Sequence, residues 1–407
     1  MKVHERLAEL AAFGATAQGI DRALFTAADH AARRRFAQWA HAGGLAVEQD
    51  RAGNVFARLD GGSDGPPMQC GSHLDTVRNG GAYDGTYGVV GGLEALERIA
   101  AGGAPLRRPL EVVAWAGEEG SRFPLGCLGS SAYARLTPYA EIFALIADDG
   151  QPFADALDGR NGLLDGVRLR DDFPAPAAYI ELHIEQGPVL ERAALRLGVV
   201  SAIAGQRRLR VQIEGRPGHA GTIPMPGRAD ALCAASEIVL GVERAAREVG
   251  EAVATVGWIS VEPNQTNIVP GRVALRVDVR SVDDGRAVEI ERRIRAVAAG
   301  SASARGVWVT VDLTEQRAAA PMEPRLRAIV RRACERFVAA PLELPSGAGH
   351  DAMCLAQIVP TAMIFVPSIG GHSHVAQEKT APEDLELGIE ALAAALLLAD
   401  AELPLEA

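Results

Sequence analysis

Apolar positions change their period several times along this chain, and the changes outline its elements. Between residues 22 and 42, an Ala- and Arg-rich stretch, Phe25, Ala32, Phe36 and Trp39 recur near helical spacing and predict a helix. From Leu45 the period shortens. Leu45-Ala46-Val47 and Val55-Phe56-Ala57-Arg58-Leu59 flank the turn signal Arg51-Ala52-Gly53-Asn54, which reads as a hairpin. Residues 93–99 read as a helix and 110–115 as a buried strand, with further short buried strands at 178–182 and 361–366. Strands alternating with helices predict an α/β sheet covered on both faces.

The middle third has another rhythm. Residues 209–213 alternate as a half-buried strand does. A helix over about 229–249 follows, then strands at 253–260 and 273–279, a helix at 286–299 and a strand at 307–313. This β-α-β-β-α-β order is the ferredoxin-like split pattern, and it reads as an insertion of roughly 110 residues into the α/β domain. Pro321 and the Ala/Pro-rich run around it mark the return.

A chain of 407 residues predicts two domains, and 48% hydrophobic residues supply a large core. With only 5% aromatics that core is mostly aliphatic. A formal charge of −11 argues against nucleic acid and anionic membranes as partners. Cys70, Cys127, Cys233, Cys334 and Cys354 form no Cys-x-x-Cys pair, so free thiols in a reducing compartment are expected. The first residues are polar and charged, and no uncharged apolar run approaches the ~18 residues of a membrane span. A cytoplasmic protein is expected.

Four stretches place metal-ligand side chains just after apolar runs. They are Gly71-Ser72-His73-Leu74-Asp75-Thr76 with Tyr83-Asp84-Gly85, then Gly117-Glu118-Glu119-Gly120, Glu181-Leu182-His183-Ile184-Glu185-Gln186, and His372-Ser373-His374. Imidazoles and carboxylates gathered at strand ends suit a two-metal hydrolytic centre, in which a free carboxylate takes the proton of an acidified water. In open α/β sheets the carboxyl ends of strands line the ligand crevice, so distant segments converge there. Any one of these histidines alone is better read as a satisfied polar residue; the set of five, His73, Asp84, Glu119, His183 and His374, is not. Either His372 or His374 serves as the last ligand, or both do, since an extended segment puts them on one side. His350 is as well explained by a structural role as by a catalytic one.

The strings GSHLDTV, NGGAYDG, GEEGSRFP, ELHIEQGPVLE, GQRR, GHAGTIPM, NIVPG, DVRS and SGAGHDA resemble the allantoate amidohydrolase and N-carbamoyl-L-amino-acid hydrolase family of di-metal aminoacylase-like enzymes. The resemblance runs from about Gly53 to Glu378. It implies a zinc-peptidase-like α/β catalytic domain with a mixed sheet flanked by helices, residues 1–207 with 321–407. It also implies an inserted ferredoxin-like α+β lid and dimerisation domain, residues 208–320. By matching position, Asp84 bridges two divalent metals (Zn²⁺ or Mn²⁺, with Co²⁺ and Ni²⁺ admissible), and His73, Glu119, His183 and His374 complete their ligands. Glu118 is then the general base and Asp75 the partner that orients His73. Gln186, Arg208, His219, Asn267, Arg280 and the backbone of Gly349 fall where the family grips a ureido substrate bearing a carboxylate. His219 is expected to stabilise the oxyanion, and the family's dimers extend to a homodimer here.

The expected reaction is hydrolysis of a ureido C–N bond to ammonia, carbon dioxide and the freed amine. Allantoate leads because of Arg208, and N-carbamoyl-L-amino acids or β-ureidopropionate are the alternative. The last motif departs from the family's usual pattern at Gly371-His372-Ser373-His374-Val375-Ala376, and Gly117 stands where a third acid is common. Three rivals remain: an aminoacylase or dipeptidase with the same metal site, a non-catalytic binding homologue, and a cysteine-nucleophile amidase using Cys354. The Glu118-Glu119 pair argues against the second, because a binder has no use for an unligated base.

Overall fold

The computed structural model describes residues 2–157, 164, 167–170 and 175–404. The chain divides into two compact units, Met1–Ser201 with Met322–Ala407, and Ala202–Pro321.

The first unit is built on a mixed sheet. Its centre is four parallel strands in the order Leu110–Trp115, Met68–His73, Ala178–Ile184 and Thr361–Val366. All four are buried along their whole length. That is why Leu110–Trp115, Ala178–Ile184 and Thr361–Val366 read as largely apolar runs rather than alternating ones, while Met68–His73 carries Gln69, Gly71 and Ser72. The predicted hairpin forms, with Ala46–Gln49 antiparallel to Val55–Leu59, and the latter pairs antiparallel with Leu110–Trp115. Phe25 lies outside the helix expected for residues 22–42. That helix starts at Ala27, capped by the side chain of Thr26, and Phe25 itself has φ 56°.

Parallel neighbours need a crossover, and the helix Thr86–Gly102 links Met68–His73 to Leu110–Trp115. It is longer than the apolar pattern suggests because its first two turns carry Gly88, Gly91 and Gly92. A Cβ on Gly88 would lie 2.4 Å from the carbonyl oxygen of Leu182. The helix approaches the sheet so closely there that helix propensity gives way to fit. Leu110, Val112 and Ala114 join one core with Leu93, Leu96 and Ile99. On the other face the Trp115 ring meets Phe56, Tyr133 and Tyr179 at 6.0, 5.2 and 6.1 Å. Each large apolar side chain so buried contributes about 1.5–3 kcal/mol.

The second unit is a four-stranded antiparallel sheet, ordered Ala252–Glu262, Arg272–Ser281, Gly205–Glu214 and Trp308–Arg317. In chain order, with helices Ala231–Val249 and Asp284–Arg305, this is the split β-α-β-β-α-β arrangement. Val211, Val273, Leu275 and Val277 pack with Ile238, Ile290 and Ile294 from the two helices. The alternate positions Arg208, Arg210 and Arg276 are exposed on the other face, as a period of two requires. Asp230 and Asp283 cap the helices, each accepting two backbone N–H bonds. Among the described residues no helix is long and apolar enough to cross a membrane.

Candidate metal centre

Four strands running the same way end along one edge of the sheet, and the predicted donors sit there. His73 closes Met68–His73, Glu118 and Glu119 follow Trp115, His183 lies at the end of Ala178–Ile184, and His374 is in the loop after Thr361–Val366. Asp84 stands just before the helix Thr86–Gly102.

These side chains form two three-donor groups that share one carboxylate, His73–Asp84–His183 and Asp84–Glu119–His374, each with its donor atoms within 4.8 Å of one another. Oδ1 of Asp84 faces Nε2 of His183 at 3.3 Å and Nε2 of His73 at 3.6 Å. Oδ2 faces Nε2 of His374 at 3.1 Å, and that nitrogen lies 3.6 Å from Oε2 of Glu119. Glu118 belongs to neither group; its Oε2 is 3.9 Å from Nε2 of His73. A third group, Glu181–His183–His350, has its donors already engaged. Ser72 and the Ala352 N–H bond the Glu181 carboxylate at 2.8 and 2.9 Å, and His350 Nε2 lies 2.8 Å from Ser346 Oγ. We read it as structural support.

Residues 70–398 match the family model described as peptidase family M20/M25/M40. The chain belongs to this family. Its members are metal-dependent hydrolases, and so is this M20-family chain. It is 38% identical over 395 residues to the N-carbamoyl-L-amino-acid amidohydrolase of Paenarthrobacter aurescens, covering 96% of this chain and 95% of that one. It is 37% identical over 398 residues to the allantoate amidohydrolase of Escherichia coli (strain K12), covering 96% of each. The crystal structure of a hydantoinase/carbamoylase family amidase from Burkholderia multivorans matches with a TM-score of 0.91 and 37% identity, over 97% of this chain and 96% of that one.

The M20-family donor set fits a pair of divalent cations on its own chemistry. Burial alone would raise the Asp84 carboxyl, yet the imidazoles of His183, His374 and His73 beside it hold it well below the usual carboxylate range. Glu119 is pushed well up, first by burial and then by the charges of Asp84 and Glu118. Such crowding of carboxylates is what cations between them relieve, and mixed imidazole and carboxylate donors suit zinc- and manganese-class ions. Nδ1 of His73 lies 2.9 Å from the carbonyl of Asp75, and Nδ1 of His183 2.9 Å from that of Ile184. A proton on each Nδ1 turns Nε2 towards the centre.

The Asp75 backbone, not its side chain, orients His73: the carboxylate is 3.8 Å from Nδ1. It is occupied instead by the N–H groups of Glu118 and Glu119, at 3.3 and 3.2 Å.

Several supporting residues carry no signal in the spacing. Glu378 accepts the N–H groups of Tyr83 and Asp84 at 2.8 and 3.0 Å, and Ser373 Oγ lies 3.1 Å from both Glu378 Oε2 and Asp84 Oδ2. Arg22, fully buried, donates to the carbonyls of Leu74 and Leu10 at 2.6 Å each and to Thr86 Oγ1 at 2.9 Å. Gly85 has φ 60°, and a Cβ there would lie 2.3 Å from His73 Nε2, so only glycine fits. Its N–H donates to His183 Nε2 at 3.1 Å.

The predicted substrate contacts fall in two places. In the first unit, Gln186 donates through Nε2 to Asp84 Oδ2 at 2.8 Å and to Ser373 at 3.2 Å, while its Oε1 is buried without a hydrogen-bond partner. A Cβ on Gly349 would lie 3.8 Å from Glu118 Oε1. In the second unit, His219 pairs with Ile268 in a short ladder, and Ala220 N–H donates to the Asn267 carbonyl at 2.9 Å. Arg208 bonds Glu315 at 2.7 Å and lies 3.6 Å from Asp278, which also accepts from Arg280 at 2.9 Å. His372 is exposed and joins no donor group among the described residues, whereas His374 does.

Proposed function

We propose that this chain is an amidohydrolase that cleaves the C–N bond of a ureido group, with allantoate as the leading substrate and N-carbamoyl-L-amino acids as the alternative. One observation carries the reading: a carboxylate, Glu118, stands beside two donor groups that share Asp84 and belongs to neither. A binding protein has no need of that uncommitted group.

His73, His183 and Asp84 would hold one cation, and Asp84, Glu119 and His374 the other. When bound, they supply positive charge that polarises a carbonyl and acidifies water. Glu118 then takes a proton from the attacking water and returns it to the departing nitrogen. Burial, the first influence on its carboxyl, raises it, with His73 pulling the other way, so it is suited to carrying a proton. Water adds its oxygen to the ureido carbon and one C–N bond breaks, releasing ammonia and leaving a carbamate; the carbamate then loses carbon dioxide, which breaks the second C–N bond and frees the amine. The unpartnered Oε1 of Gln186 suits a substrate N–H. Arg208 and Arg280 have the fork geometry for a carboxylate, and His219 is our candidate oxyanion donor.

The same reading makes 208–320 a lid and the site of homodimer contact. Its edge strand Ala252–Glu262 exposes Val253, Trp258 and Ile259, which supports that assignment. None of the five cysteines, all among the described residues, is joined in a disulfide, which supports a reducing cytoplasm.

The test is ammonia release from allantoate, N-carbamoyl-L-amino acids and β-ureidopropionate, beside acetate release from N-acetyl amino acids. Chelator-treated protein is assayed before and after Zn²⁺ or Mn²⁺ addition. Ammonia from a ureido compound that stops on chelation and returns with metal is the expected result. Acetate without ammonia would make it an aminoacylase, and no product from any compound would leave only a binder.

A further inference from the structure

The backbone after the Glu118-Glu119 pair turns back on itself. N–H groups of Cys127, Leu128 and Gly129 donate in turn to the carbonyls of Glu118, Gly117 and Ala116, at 2.8, 3.1 and 2.7 Å. This ladder sets Cys127 directly opposite Glu118. Cys127 has φ 54°, a left-handed conformation that costs a non-glycine residue about 1–3 kcal/mol and persists only where its surroundings impose it. Its thiol lies 3.4 Å from Oε1 of Glu118 and 3.7 Å from the His350 carbonyl. An S–H has one proton to give, and the carboxylate is the stronger acceptor.

We propose that Cys127 is the positioning residue of Glu118, its thiol holding Oε1 so that Oε2 alone faces the reacting water. This rests on the reading of Glu118 as the general base. A carboxylate held by one oxygen cannot rotate, and a proton acceptor works only in a fixed orientation. The backbone of Glu118 is fixed from the other side by Asp75 at 3.3 Å, which leaves the side-chain torsions for the thiol to settle. The thiol is a dependable donor. The neighbouring Cys354 thiol, then burial, then the charge of Glu118 push its ionisation far above the ordinary thiol range, so the proton stays on sulfur for the stronger acceptor, the carboxylate, to take as a hydrogen bond.

A small buried residue also fills space, and the variants separate the two roles. Cys127→Ala, Cys127→Val and Cys127→Ser are compared with wild type in kcat and KM for ammonia release. The substrate is allantoate or N-carbamoyl-L-methionine, whichever wild type turns over faster. Metal content and melting temperature are recorded for each. Loss of the donor should lower kcat about tenfold in the Ala and Val proteins, with KM within about twofold, and Ser should restore most of it. In a Glu118→Gln background the Ala change should have no further effect on residual turnover. Wild-type kcat in the Ala or Val protein, or a Ser protein as slow as Ala, overturns the proposal while leaving the base reading intact. Near-normal turnover in Glu118→Gln overturns the base itself, and the positioning role with it. Should the Ala protein not fold, the Val and Ser pair decides.

Discussion

Oδ2 of Asp84 lies 3.1 Å from Nε2 of His374, although the two residues come from opposite ends of the chain. The other oxygen of the same carboxylate serves His183 and His73, so one side chain belongs to both donor groups while His374 belongs to one. Losing them should therefore have unequal consequences. Wild type loaded with Zn²⁺ or Mn²⁺ and freed of excess metal should carry about two ions per chain, His374→Ala about one, and Asp84→Asn close to none. Elemental analysis gives the ratio directly. An Asp84→Asn protein that kept both ions would refute the shared-carboxylate arrangement, whatever its activity.

That junction also shows what a linear reading can and cannot see. Glu118, Glu119 and His183 are visible because they go with runs such as Leu-Glu-Val-Val-Ala-Trp, and buried parallel strands are largely apolar, whereas His73 closes the more polar Met-Gln-Cys-Gly-Ser-His. Asp84 lies in a glycine-rich loop with no period, so its donor type marks it as a candidate but only resemblance to a family makes it the carboxylate shared by both groups. His372 and His374 stay indistinguishable in an extended reading. The chain instead makes a tight turn at Ile369–Gly371 and adopts φ 60° at His374, which sends the two imidazoles apart. Glu378 and Arg22 escape altogether. They act by hydrogen bonding to backbone groups hundreds or tens of residues away, and no local pattern records such a bond.

Arg22 offers a stability test of that hidden support. Its guanidinium ties Leu10, Leu74 and Thr86 together beneath the loop that carries Asp84. Burial lowers its pKa to about 10, so it remains the charged donor at neutral pH. Arg22→Met would remove all three bonds and leave the Leu74 carbonyl buried without its donor, at a cost on the order of 3 kcal/mol. Arg22→Lys should recover little, because an ammonium cannot reach three separated oxygens as a planar fork does. Urea unfolding should show both losses, with metal retention falling alongside. Unchanged midpoints would mean the loop is held some other way.

The last prediction concerns pH. Asp50 is buried in the hairpin turn, where it accepts the N–H groups of Ala52 and Asn54 at 2.9 Å each and Asn54 Nδ2 at 2.7 Å. Burial raises its pKa from 3.8 to about 6, with the hydrogen bonds from Asn54 and Ala52 pulling part of the way back. Below 3.8 the carboxyl is neutral folded or unfolded, and it costs nothing. Between 3.8 and about 6 the unfolded chain ionises while the folded one keeps its proton, so stability falls as pH rises. Above that window the full cost applies, on the order of 3 kcal/mol. Asp50→Asn never ionises. Its stability relative to wild type should therefore climb across the window and level off beyond it, as urea titrations at several pH values would show. A difference independent of pH would mean the carboxyl titrates normally. The effect should reach the catalytic edge, because Asn54 also accepts the Ala116 N–H and donates to the Gly129 carbonyl, at 2.9 Å each, in the ladder that sets Cys127 against Glu118.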